Sequence, residues 1–237
     1  MKKKYLWPFL FIIIALLNGC ASQEDDEGNI TKWNFGFDKD MEGFEAVFAD
    51  YHDDGHGYAT YEMKSEYKEI PVENQKSKGL YITSRNISDD IFMGYVKKLD
   101  GLRKNHNYTF TVSFQLVTDV RGGMAGIGGS PGQSVFVKGG ITAIKPETQK
   151  STEGRYGLNI DIGNQSESGK DMKVIGNMEK PEATADLIGF DYKDINFTVN
   201  ATTDSNGCVY IIIGTDSGFE GLTEYYLDNI QINTSGK

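Results

Sequence analysis

The densest set of groups able to do chemistry in this chain is Asp50-Tyr51-His52-Asp53-Asp54-Gly55-His56, two imidazoles and three carboxylates within seven residues. Three uses are open to it. Carboxylate oxygens in a loop suit a hard divalent cation such as calcium, although imidazole belongs with softer metals. Tyr51, His52, Asp53, Asp54 and His56, with Tyr58 just beyond, also offer ring faces and polar groups to a hydroxyl-rich ligand. Asp and Gly at this density are equally what a solvated turn between strands uses for backbone reasons. His52 and His56 stand four apart, but the Asp-Asp-Gly between them reads as a turn, so a helical zinc pair is not supported.

Other candidates are weaker. Arg121 to Gln133 is rich in glycine, yet no Gly-Lys-Ser/Thr ending follows and the flanks read as strands, so a nucleotide loop is disfavoured. The glycines fit a tight crossing or a close backbone approach better, with Met124 and Ile127 capping the core from this loop. Cys208 opens the apolar run Cys-Val-Tyr-Ile-Ile-Ile and reads as a buried, inert thiol. There is no Gly-x-Ser-x-Gly elbow and no His-Glu-x-x-His. Tyr51, Tyr58, Tyr61 and Tyr95 lie on or near polar segments and form a possible sugar platform.

The elements that must position these groups are strands. Tyr108, Phe110, Val112, Phe114 and Leu116 alternate with polar residues, the period of a half-buried strand. The same period runs through Tyr156 to Ile162 and Ile195 to Val199. Trp33–Phe37, Tyr58–Ser65, Gly79–Ser84, Phe92–Leu99, Ser134–Ile144, Val209–Gly214 and Glu224–Asn233 complete ten strands broken by Gly, Asn and Asp. The fold class predicted is all-β, an antiparallel β-sandwich. Asp40–Phe48 is the one place with a hint of a helical turn. Residues 121–132 and 163–187 read as insertions at the sandwich edges.

The N-terminus carries a resemblance. Lys2-Lys3-Lys4, the apolar run Tyr5 to Leu17 and the closing Leu17-Asn18-Gly19-Cys20 resemble a bacterial lipoprotein signal peptide. The resemblance implies cleavage before Cys20 and acylation of its thiol. Residues 1–19 are then the signal, 20–30 a lipidated acidic tether, and 31–237 one sandwich domain. It places the protein outside the cytoplasm, lipid-anchored to the cell membrane or outer membrane, with Ala21 favouring the outer one in a Gram-negative host. The apolar run is short for a hydrocarbon core of about 30 Å. Loss of residues 1–19 removes three lysines and no acid, leaving 21 basic and 34 acidic residues. Such a surplus of acid disfavours nucleic acid as a partner and leaves anchoring to the lipid.

A second resemblance lies at the two ends of the domain. Phe35-Gly36-Phe37-Asp38 followed by Glu42-Gly43-Phe44, and the terminal Tyr225-Tyr226-Leu227-Asp228-Asn229-Ile230-Gln231-Ile232, resemble galactose-binding-like jelly rolls, the fold of many carbohydrate-binding modules. This implies a jelly roll of about ten strands and, residue by residue, a structural calcium held by Asp38 and Asp228. The function expected is a membrane-tethered binding protein for glycan or another cell-envelope component. A structural lipoprotein contacting envelope proteins would instead show an exposed apolar patch. A carboxylate-dependent glycan hydrolase or lyase would show two close carboxylates with separated pKa values in an open cleft.

Overall fold

The computed structural model describes residues 30–52, 55, 59–87 and 90–236. Among them fourteen strands follow in chain order. The first seven are β1 (Lys32–Phe35), β2 (Glu45–Ala49), β3 (Tyr51–His52), β4 (Lys64–Glu69), β5 (Lys78–Arg85), β6 (Ile91–Leu99) and β7 (Asn107–Thr118). The rest are β8 (Val135–Thr142), β9 (Thr148–Lys150), β10 (Arg155–Leu158), β11 (Lys173–Asn177), β12 (Asp191–Thr202), β13 (Val209–Ser217) and β14 (Leu222–Gly236). All pairings are antiparallel, and from β5 onward the main strands alternate between two facing sheets, as in a jelly roll. One sheet runs β12-β7-β14-β5-β4, with β1 pairing the far half of β14; the other runs β11-β8-β13-β6-β2. A small third sheet joins β3, β10 and β9.

Alternation decides which side chains meet between the sheets. Tyr108, Phe110, Val112, Phe114 and Leu116 of β7 all point inward, against Met93 and Tyr95 of β6 and Ile211 and Ile213 of β13. Strand β14 keeps its apolar residues inside through a device. Tyr225 and Leu227 face the core, and so do Ile230 and Ile232, which an unbroken period of two would place outside. A bulge between Asp228 and Gln231 inserts one residue, Asn229, at φ +47°, and resets the phase.

The five-stranded sheet is covered on its outer face as well. Ile160, Ile162 and Met172 pack on Ala49, Phe92, Val96 and Ile212, so residues 159–172 form a strap across it. Two paired glycines make the strands smooth beneath Phe92. A methyl group on Gly214 would sit 2.7 Å from the Phe92 ring, and one on Gly94 only 2.6 Å from the Ile213 carbonyl oxygen. At Gly140 a methyl would collide with the Asp171 carbonyl, which is how closely the strap lies on β8.

Five expectations change. The strand expected at Tyr58–Ser65 is a turn over residues 59–62, and β4 begins only at Lys64. The stretch Asp40–Phe48 holds a turn and then β2 rather than a helical turn, because alternate residues of β2 pair along β6. The Tyr156–Ile162 alternation is a strand only to Leu158; its later apolar residues bury themselves on the outer face of the sheet. The insertion at 163–187 contains β11. Met124 and Ile127 are exposed, not a cap on the core. Cys208 is buried and unpaired.

Candidate functional site

The bulge in β14 lies in the middle of a polar sheet face. Residues paired across β12, β7, β14 and β1 share one side: Asp194 with Gln115 and Asp228, then Asn196 with Ser113, Gln231 and Asn34. The next row is Thr198, Thr111, Asn233 and Lys32. Strands spaced about 4.8 Å apart, with same-face residues about 7 Å apart along them, give a flat lattice of amides and hydroxyls. Gln115 donates to Asp194 at 3.1 Å and accepts from Asn229 Nδ2 at 2.6 Å, which fixes both amides. A hollow of about 250 Å³ opens here, lined by Ser113, Gln115, Asp194, Asn196, Asn229 and Gln231. A second, of about 500 Å³, is lined by Phe37, Asp38, Glu69, Ile70, Gln75 and Ser77, among others.

Asp228 lines neither hollow but adjoins Asn229 of the first and feels the charge of Asp38 in the second. Its side chain shares a face with Gln115, yet it is only 2% exposed, and its Oδ1 accepts the Asn229 N–H at 2.8 Å. Burial, and next the charge of Asp38, push its carboxyl above the usual range. Tyr67 donates to the Phe37 carbonyl at 2.6 Å, and its phenol is raised by burial and then by Asp38, Asp40, Glu42 and Asp228. Tyr192, whose hydroxyl is 2.7 Å from Ser77, ends the lattice on the aromatic side, where Tyr81, Tyr226 and Phe190 cluster. For the calcium expectation this supplies one buried and one exposed carboxylate. No three acids, histidines or cysteines converge on a metal position among the described residues, so other ligands would be carbonyls and water.

A separate cluster of charges sits under the strap. Lys138 Nζ donates to Asp216 Oδ2 at 2.7 Å and to the Ile162 carbonyl at 2.8 Å, with the Lys138 side chain fully buried and that of Asp216 only 1% exposed. The Gln165 N–H also donates to Asp216 Oδ2. Arg155 closes the outer side on Asp90 at 2.9 Å and Asp50 at 3.2 Å. Burial first, and then a hydrogen bond to Asp216, push Asp90 up to about 8. Oδ1 of both Asp90 and Asp216 finds no other donor, which suits a proton held on Asp90 and directed at Asp216. This is a close carboxyl pair in which Asp90 is raised, but Asp216 is sealed beneath the strap rather than open in a cleft. We assign the cluster to holding the strap. In sequence its signals were Lys138 and Asp216, charged residues inside apolar strand runs.

The predicted ligand residues fall elsewhere. Tyr51 is buried, stacked at 4.7 Å on Tyr156 and next to Tyr61; His52 is exposed, and its N–H donates to the Tyr61 hydroxyl at 3.1 Å. Asp53, Asp54, His56, Tyr58 and Cys20 lie outside the described residues. Tyr61 and Tyr95 are core residues rather than a platform: the strand phase of β6 turns Tyr95 inward, and Tyr61 is buried from the turn before β4. The amide lattice was missed because Thr, Asn and Gln alternating with core residues read as an ordinary wet strand face until neighbouring strands bring them together.

No protein-family model matches the chain, and no curated protein matches it. Solved structures similar to it include carbohydrate-binding modules with β-sandwich folds. One is a Clostridium thermocellum xylanase 10B fragment of CBM22-1 and GH10 modules complexed with xylohexaose: 13% identity, TM-score 0.40, covering 86% of this chain and 28% of that one. Another is a module studied for specific mannan recognition, TmCBM27: 10% identity, TM-score 0.41, covering 86% and 97%. A third is a sugar-binding protein, so described provisionally, from Bacteroides thetaiotaomicron: 10% identity, TM-score 0.39, covering 81% and 88%. The chain thus spans under a third of the first of these and nearly all of the other two, and at these scores the likenesses carry no argument about its ligand.

Proposed function

We propose that the protein is a glycan-binding module, anchored outside the cytoplasm by lipid on Cys20, and that it binds on the outer face of the six-stranded sheet. The observation that supports this most is the lattice of exposed Asn196, Thr198 and Gln231 with half-buried Ser113, Gln115 and Asn233, on a sheet whose other face is core. Paired amides donate and accept at once, which is what a sugar ring with several hydroxyls needs. Three rows about 7 Å apart give room for several rings of an extended chain. An acylated Cys20 in the N-terminal peptide, read by mass spectrometry, checks the anchor.

The test is binding of the purified full chain, in detergent, to an array of glycans and cell-wall polysaccharides. Asn196→Ala with Gln231→Ala should weaken binding about tenfold, or ~1.4 kcal/mol, while the melting temperature stays put, since exposed substitutions usually change stability by less than about 0.5 kcal/mol. A folded protein that binds nothing on the array sinks the proposal. Binding that survives the pair but is lost in His52→Ala moves the site to β3.

Within this proposal Asp38 and Asp228 hold a calcium ion that joins the first and last strands of the domain. The structural argument is the repulsion between the two carboxylates, which a cation would relieve. Calcium should then raise the melting temperature over chelator in the parent and not in Asp228→Asn. Equal melting in calcium and chelator removes the ion from the account.

A further inference from the structure

Among the described residues, six of the eight exposed large apolar side chains gather at one end of the sandwich: Ile87, Met124, Ile127, Leu187, Ile188 and Leu222, on loops or a strand start, while Ile30 and Ile144 stand apart at the other end. These loops are tied to one another: the Gly122 N–H donates to the Ala185 carbonyl, that of Glu220 to Ile127, and that of Asn86 to Gly221. Ile188 is 94% exposed and Ile127 72%. Beside them opens a hollow of about 400 Å³ lined by Val120, Arg121, Met124, Pro131 and Ile188. The chain enters the domain at the opposite pole. Lys32 of β1 pairs with Asn233 near the end of β14, whereas Leu222 begins that strand. Eleven residues of extended strand separate them, roughly 35 Å.

We infer that this pole is a docking surface for a second protein whose contact patch is apolar at its centre and basic at its rim. Two observations select that occupant. First, the tether leaves from the other pole, so a lipid-anchored chain holds this one away from its own membrane. Second, the rim is acidic. Asp119, Glu179, Glu182, Asp186 and Glu220 lie on these loops beside the apolar residues, against Arg121, Lys180 and Arg85; the amine of Lys180 is already bound to the Leu187 and Gly189 carbonyls, and Arg85 is ion-paired with Glu62. That charge repels an anionic bilayer and a second copy of the same face, and attracts Lys and Arg. Apolar side chains this exposed, grouped beside a hollow large enough for one side chain of a partner, are the composition of an interface centre. The inference rests on the lipid anchor proposed above but not on where glycan binds.

The experiment uses the full lipidated chain in the membranes of the cells that make it. A photo-crosslinking amino acid is placed at Ile127 or Ile188, with Thr198 on the amide lattice and Asn206 at the tether pole as controls. The result expected is one protein adduct from the two loop positions and none from the controls. Its yield should fall about tenfold in Glu182→Lys with Asp186→Lys and recover at low salt. The adduct's own sequence should show a basic surface, and melting of the charge-reversed chain should match the parent. An adduct of twice the chain's mass would make the surface a self-association face and overturn the inference. So would an adduct to lipid alone, an adduct insensitive to charge reversal, or none in a folded protein.

Discussion

Replacing Lys138 by Met is expected to destabilise the domain by about 3–5 kcal/mol, the usual cost of removing one partner from a buried ion pair. The methionine fills nearly the same volume, so the loss is electrostatic rather than a cavity. Asp216 is left 1% exposed with only the Gln165 N–H and the neighbouring Asp90 carboxyl, and the Ile162 carbonyl loses its donor. For a domain of this size each kcal/mol lowers the melting temperature by about 2–4 °C, so a drop of about 10 °C is expected by circular dichroism. Residues 163–169 should also become sensitive to protease, because Lys138 and Asp216 fasten the strap at Ile162 and Gln165. Lys138→Met combined with Asp216→Leu should regain part of the loss, as no unpaired charge remains inside. A single variant melting within 2 °C of the parent would remove the cluster from the stability of the fold.

The second large effect is on pH. Asp90 has a folded pKa of about 8 against an ordinary carboxyl value near 4, so between those limits the folded protein holds a proton that the unfolded chain releases. The stability this contributes is present in full at acid pH and is lost as pH rises through about 8. Asp50, Asp119 and Asp228 are raised too, each first by burial, and add in the same direction. The groups facing Asp90 are Asp216 from β13, Asp50 before β3 and Arg155 from β10, with Lys138 of β8 on the far side of Asp216. Arg155 is the group most open to solvent, with Asp50 and Asp90 partly exposed beside it. Allowing for screening on that side, raising the pH from 6 to 9 should cost about 1–2 kcal/mol, seen as a melting temperature lower by about 3–6 °C. Asp90→Asn keeps a donor toward Asp216 and carries no proton to lose, so its melting temperature should change much less over that range. The same slope in the variant as in the parent would assign the effect to other groups.

The residues of β7 show what local pattern can determine. Tyr108 to Leu116 alternate, and every apolar member is in the core, because a strand's period of two is a property of its own backbone. The same holds for Ile195 and Phe197 and for the burial of Cys208. Pattern failed where burial came from outside the strand. Ile160 and Ile162 continue the alternation of β10 but spend it on the outer face of a different sheet. Tyr51 stands among five polar residues and looked exposed; its ring is covered by Tyr156, more than a hundred positions away.

Sequence alone therefore determined the all-β class, the inward residues of the long strands and the acid surplus, since each depends on neighbours along the chain or on a plain sum of charges. Tertiary structure decided the rest. It brought Asp50, Asp90, Lys138, Arg155 and Asp216 from five separate segments into one cluster, and it lined the amides of β12, β7, β14 and β1 into a lattice. It also set six exposed apolar residues at the pole away from the start of β1. Interactions between groups distant in sequence depend on pairing and register across strands, and no local period encodes which strand will lie beside which.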